Sequence, residues 1–158
     1  MTVRTPISGR HAVEFRAPLL RIEHWRVFLG GQDTQSFRLV GRAETSAPSR
    51  LRNWLAVEIE YGGTPAGYRA ARFPDGSLRP LTDVQHTVLR CQEFNALQSA
   101  CLYRDRFMIE LTEGEVERYA RTGLTLRLVG KSGNIGKIQV SSNYLQGYLS
   151  ALSLWSVR

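Results

Sequence analysis

The clearest periodicity in the chain lies at residues 51–61, LRNWLAVEIEY, where Leu51, Leu55, Val57, Ile59 and Tyr61 share one face and Arg52, Glu58 and Glu60 the other. A repeat of two residues is the mark of a β-strand with one wet face. Residues 102–111 repeat it, with Tyr103, Phe107, Ile109 and Leu111 opposite Arg104, Arg106 and Glu110. Residues 19–29 and 35–44 are strand-like but more mixed, and GGQD at 30–33 supplies turn chemistry between them. GYRAARF at 67–73 runs into Pro74–Ser77, PDGS, a strong turn signal, and a further strand is expected near 84–90.

The period changes at Thr112. TEGE places an N-capping threonine three residues ahead of Glu115, the spacing of a capping box, and Glu113, Glu115 and Glu117 suit the positive end of a helix dipole. With Arg118 and Arg121 near the other end and Gly123 to close it in a left-handed conformation, the pattern predicts a short, solvated connector helix over 113–122. LTLRLVG at 124–130 and GKIQV at 136–140 then read as a hairpin around KSGN. Tyr144, Leu145, Tyr148, Leu149 and Leu152 recur at helical spacing behind Ser141 or Ser142 as cap, which predicts a terminal helix with its apolar stripe on the sheet.

About eight strands at short spacing, with helices only late, argue against alternating βαβ units. The expected fold is mainly β, an antiparallel β-sandwich or open barrel with two short peripheral helices near the C-terminus. No internal repeat or interior linker divides the chain, so the expected organisation is a polar tail over 1–10 and a single β-rich domain over 11–158. At 158 residues such a domain buries roughly two-thirds of its unfolded surface, enough for a core without metal.

Charge adds a second line of argument. The formal net charge of +7 suits a polyanion partner, nucleic acid or an anionic surface. The basic residues are scattered, however, with Arg50/Arg52 and Arg104/Arg106 the closest approaches, and Lys131 and Lys137 are the only lysines. A polyanion-binding module is therefore the alternative reading, with nucleic acid not favoured. MTVRTPISGRHAVEF holds no apolar h-region, and no run reaches the ~18 residues of a transmembrane helix. The compartment is then cytoplasmic, or an export signal has been removed and the chain is periplasmic or secreted.

Cys91 and Cys101 are the only cysteines, and they flank segments read as consecutive strands. Consecutive strands usually neighbour each other, so a disulfide across their connection is geometrically reasonable. Free buried thiols are the alternative. A metal site is disfavoured, because His11, His24 and His86 show no ligand spacing to either cysteine, and no CxxC redox motif occurs.

Other motifs dissolve on inspection. GKSGNIGK at 130–137 lacks the glycine a Walker motif needs five residues before its Gly-Lys-Ser, where Thr125 stands, and it leads into a strand instead of a helix. No GxSxG elbow occurs; His24 in RIEHWRV and His86 lack a recognisable catalytic context, and the His11/Glu14 spacing is commonplace. The Glu58/Glu60 pair lies on a wet strand face where polar residues belong anyway. No catalytic residue, cofactor or metal ligand is assigned, and the expectation is a chain without enzymatic activity. Trp54, on the otherwise polar face of the best strand, and Trp155, in the apolar LSLWSVR terminus, are the candidate partner contacts.

From about Val88 to Leu152 the order is cysteine, cysteine, YRDRFMIEL, capped helix, LVGKSG hairpin and SNYLQGYL. This half resembles a set of small proteobacterial envelope proteins, often lipoproteins, at Cys91, Cys101, Glu110, Leu111, Gly130, Tyr144 and Gly147. The chain departs from them in wider cysteine spacing and in having no lipobox cysteine near Met1. The resemblance implies an exported, non-catalytic β-rich domain and brings no catalytic residue. The functional expectation is a cell-envelope or secreted domain acting as a protein-interaction or structural component, its partner another envelope protein.

Overall fold

The alternation at 51–61 becomes the middle of a seven-stranded antiparallel sheet. In the computed structural model, which describes residues 3–6, 12–26, 31–44, 47–95 and 98–156, that stretch belongs to β5 (Ala47–Gly63). Around it the order is β1 (Val3–Pro6), β2 (Ala12–Arg16), β4 (Gly31–Glu44), β5, β9 (Gln98–Leu111) and β8 (Thr82–Asn95), with β3 (Leu20–Arg26) also on β4. A second, four-stranded sheet has the order β11 (Gly133–Val140), β10 (Leu124–Gly130), β6 (Ala70–Arg72) and β7 (Leu78–Pro80). The helices are α1 (Glu113–Thr122) and α2 (Ser142–Ser156). The architecture is antiparallel β with C-terminal helices, one sheet curled as a half-barrel, as the strand pattern predicts.

One core joins both sheets and both helices. Phe37 and Leu39 from β4, Leu55, Val57, Ile59 and Tyr61 from β5, and Phe107, Ile109 and Leu111 from β9 form its floor. Leu124, Leu126 and Leu128 from β10 and Ile138 and Val140 from β11 pack over it, with Val116, Tyr119, Leu145, Tyr148 and Leu152 from the helices. Each such apolar side chain taken fully out of water contributes roughly 1.5–3 kcal/mol, so truncating one at the centre, Leu55 for example, is expected to cost about 2–5 kcal/mol.

Several elements differ from expectation for local reasons. Val3–Pro6, inside the segment read as a polar tail, pairs antiparallel with β2 as β1. The three-residue strands β6 and β7 flank the Pro74–Ser77 turn, which Asp75 closes by accepting from the Ser77 amide at 2.9 Å. The hairpin turn is shorter than KSGN: Lys131 and Ser132 span it, and β11 resumes at Gly133, whose φ is +96°. At Gly123 φ is positive, +78°, but ψ is 164°, so the chain leaves α1 in an extended direction and not through a left-handed cap.

Helix α1 carries the full capping box. The Glu115 amide donates to the Thr112 hydroxyl at 3.3 Å, and the Thr112 amide donates back to Glu115 Oε2 at 2.8 Å. It is more than a solvated connector, since Glu115, Val116, Tyr119 and Ala120 are buried. Arg79 of β7, stacked 4.2 Å over the Phe73 ring, holds the Glu115 carboxylate and ties the small sheet to the helix. Burial raises the pKa of Glu115, but the hydrogen bonds from Arg79 and Thr112 outweigh it and hold the carboxyl below its usual range. Ser141 caps α2, accepting from the Tyr144 amide at 3.3 Å.

Candidate functional site

Because side chains alternate, the face of β4, β5 and β9 away from the core carries the even-numbered residues. The antiparallel register places Glu58 opposite Arg106, Glu60 opposite Arg104, and Ala56 opposite both Arg38 and Met108. The result is a ladder of ion pairs. Arg104 Nε lies 2.8 Å from Glu60, Arg106 pairs with Glu58, and Arg52 lies 2.7 Å from Glu110. Glu14 of β2 takes both Arg16 and Arg42, the latter at 2.7 Å. Burial raises its pKa, yet the bonds from Arg42 and Arg16 leave its carboxyl below the ordinary value.

Arg38 is the exception. Among the described arginine side chains that β2, β4, β5 and β9 place on this face, it alone has no carboxylate within 4 Å. Its cross-strand neighbour is Ala56, whereas the next row along β5 carries Glu58, opposite Ser36. Arg38 lines an open groove of about 490 Å³ with Leu19, Ser36, Ala56, Glu58, Asp83, Gln85, Arg106 and Met108.

Two β-bulges wall this groove. Arg16 pairs with Val40 and Leu20 with Phe37, so Ala17, Pro18 and Leu19 stand opposite only Arg38 and Leu39. Pro18 has no N–H to give the ladder, which is why the strand breaks there. On the far side Thr82 pairs with Met108 and Gln85 with Arg106, so Asp83 and Val84 face the single residue Phe107. Asp83 adopts φ +51°, a left-handed geometry that aspartate tolerates better than most residues. Bulges bend a strand and re-aim its side chains, and here one brings Leu19 and the other Asp83 to the rim.

The sequence-derived residues fall elsewhere. Cys91 and Cys101 stand directly opposite each other on β8 and β9, with Sγ atoms at 2.01 Å and Cα atoms at 4.0 Å, a disulfide across the hairpin. Trp54 is half-buried, with the guanidinium groups of Arg42 and Arg52 lying 5.5 Å and 5.1 Å from its ring centroid. It occupies the row of β5 next to Ala56, beyond the groove lining. Trp155 falls in the last turn of α2, but its side chain lies outside the described residues, as do those of His24 and His11.

His86 does meet a carboxylate. Its Nδ1 pairs with Oδ1 of the buried Asp105, whose Oδ2 accepts from the Tyr61 hydroxyl at 2.7 Å, while the Ala66 amide donates to Tyr61 at 3.0 Å. This chain consumes the polar atoms of a carboxylate on the core side of the sheet, and the His86 ring stacks on Tyr103. Burial, reinforced by Asp105, pushes the Tyr61 hydroxyl well above its usual pKa. Among the described lining residues of the groove there is no histidine or cysteine. Among the described residues no cluster of three metal-ligating side chains occurs, and no helix is long and apolar enough to cross a membrane.

Leu19, Arg38, Ala56, Asp83 and Met108 escape sequence reasoning. They are remote in the chain and meet only through strand register; Pro18 within an apolar run is the one local sign of a bulge. Compared with known proteins, the chain matches no family model, no curated protein and no solved structure.

Proposed function

We propose that the chain is a non-catalytic, disulfide-clipped β-domain of the cell envelope or secreted space that binds another protein in the groove on its polar face. The observation that carries this reading is the groove itself: it is open, sits on β4, β5 and β9 of the larger sheet, and is walled by two bulges. Such a shape holds an extended chain, whereas chemistry on a small molecule favours an enclosed, water-excluding pocket. The Cys91–Cys101 bond supports an oxidising compartment, as does the resemblance of the C-terminal half to envelope proteins.

A protein partner is preferred to a polyanion because most of the arginines on this face already hold carboxylates. Arg16, Arg42, Arg52, Arg104 and Arg106 are all so engaged, and the face has little free positive charge to offer a phosphate backbone. The test is made in the cells that produce the protein. Alkylation of intact cells before lysis should leave Cys91 and Cys101 unmodified. A photo-crosslinking residue at Gln85 should form a discrete protein adduct that the same residue at Glu117, on the opposite side, does not. Reduced thiols, or adducts equal at both positions, would overturn the reading.

A further inference from the structure

The groove has opposite charges on its two walls, each unpaired among the described residues. Arg38 stands on β4, and Asp83 on β8, where it too has no ion-pair partner among the described residues. The other charges of the lining, Glu58 and Arg106, are paired with each other. Between the walls the floor is Ala56 and Met108, with Leu19 at the rim beside Arg38. Ser36 and Gln85 supply hydrogen-bonding groups on the two sides.

The dimensions limit what can lie there. Along each strand the lining covers only two rows, Ser36/Arg38, Ala56/Glu58 and Arg106/Met108, whereas across the sheet it spans β4, β5, β9 and β8. Three inter-strand spacings make about 14 Å, and an extended peptide advances about 3.3 Å per residue, so residues i and i+4 of such a peptide match the walls. They also lie on one face of the extended chain, with i+2 between them.

Resting on the protein-binding reading, we propose that the groove binds an extended peptide segment of the form acid–x–apolar–x–base, lying across the strands. Its carboxylate pairs with Arg38, its cationic side chain pairs with Asp83, and its central apolar residue covers Ala56 and Met108. The backbone amides between them are within the province of Ser36 and Gln85. Bidentate pairing of a carboxylate with a guanidinium gives direction as well as affinity, so the acidic end is fixed at β4.

The experiment uses the oxidised full chain and end-blocked, fluorescently labelled peptides containing Glu-Ser-Val-Ser-Lys, with Lys-Ser-Val-Ser-Lys and Glu-Ser-Val-Ser-Glu as companions. Anisotropy titrations at low salt should rank the mixed-charge peptide first. Arg38→Glu should weaken it at least tenfold and make the dibasic peptide the preferred ligand; Asp83→Lys should do the converse for the diacidic peptide. The Arg38→Glu/Asp83→Lys double variant should recover the mixed peptide, now bound in the reverse direction. These inversions separate recognition from any loss of folding, since a misfolded variant gains no ligand. Equal binding of the three peptides, or binding indifferent to Arg38→Glu, would overturn the assignment. If crosslinks from Gln85 to a partner persist in the Arg38→Glu variant, the occupant is wrong while the protein-binding reading stands. If no groove-specific crosslink forms at all, the reading itself fails.

Discussion

The hydroxyl of Tyr148 donates to Asn53 Oδ1 at 2.7 Å in the interior, directly over Gly41, where a Cβ would stand 2.3 Å from the Tyr148 hydroxyl oxygen. Asn53 is the polar interruption in the apolar face of β5, and it is almost fully buried at 1% exposure. A buried amide without a partner is costly, so the interruption persists because α2 delivers a donor to it and Gly41 leaves the space. Burial raises the pKa of Tyr148 far above that of a free tyrosine, which keeps the donor protonated.

Gly41→Ala is therefore expected to destabilise the protein by about 1–3 kcal/mol through overpacking. Tyr148→Phe should cost about as much, roughly 1–3 kcal/mol, by leaving Asn53 unsatisfied. In the double variant the two losses should fall short of their sum, because removing the hydroxyl removes the clash. Urea unfolding of the four proteins in a double-mutant cycle measures the difference.

Tyr144 closes the gap that Pro18 leaves in the sheet. Its hydroxyl accepts from the Leu39 amide at 3.2 Å and donates to the Pro18 carbonyl at 2.7 Å, replacing the missing ladder bonds. Tyr144→Phe should lower stability by roughly 1–3 kcal/mol. It should also accelerate hydrogen exchange at the Leu39 amide more than at the Leu55 amide, which lies in the intact ladder of β5.

Acid sensitivity should centre on Glu115 and Glu14. Both carboxyls have native pKa values below the ordinary 4.5, so their contribution is complete above that value and is lost as pH falls through the lower native ones. Thermal midpoints should be flat near neutrality and drop below about pH 4.5. Glu115→Gln should lower the midpoint at neutral pH and make the acid limb shallower, since one of the two linked protons is gone. An unchanged acid limb would show that Arg79 does not hold the carboxylate in solution.

The disulfide spans ten residues of sequence, and in the chain-entropy treatment closing such a loop stabilises the fold by about 2.5–3 kcal/mol. Dithiothreitol should shift the urea midpoint of the native protein downward accordingly. A Cys91→Ser/Cys101→Ser variant should start at the lower midpoint and ignore the reductant.

Several of the residues on which the expected envelope-protein resemblance rests have a physical cause. Cys91 and Cys101 clip a hairpin, Glu110 holds Arg52, and Tyr144 repairs a bulge. At Gly130 a Cβ would stand 2.1 Å from Ile135 Cδ1 and 2.5 Å from the Ala66 carbonyl, so only glycine fits. At Gly147, by contrast, a Cβ would enter open space, and the structure gives no reason for glycine there.

Local sequence determined which stretches are strands and helices, because side-chain alternation, capping spacing and turn residues act within a few residues of each other. Residues 51–61, the Thr112–Glu115 box and the stripe on α2 needed no distant information. Whether Asn53 finds a donor, where Pro18 and Asp83 bend the sheet, and which arginine has no acid beside it among the described residues were decided only by tertiary structure. Those outcomes depend on strand register, and register brings together residues dozens of positions apart whose pairing no local pattern encodes.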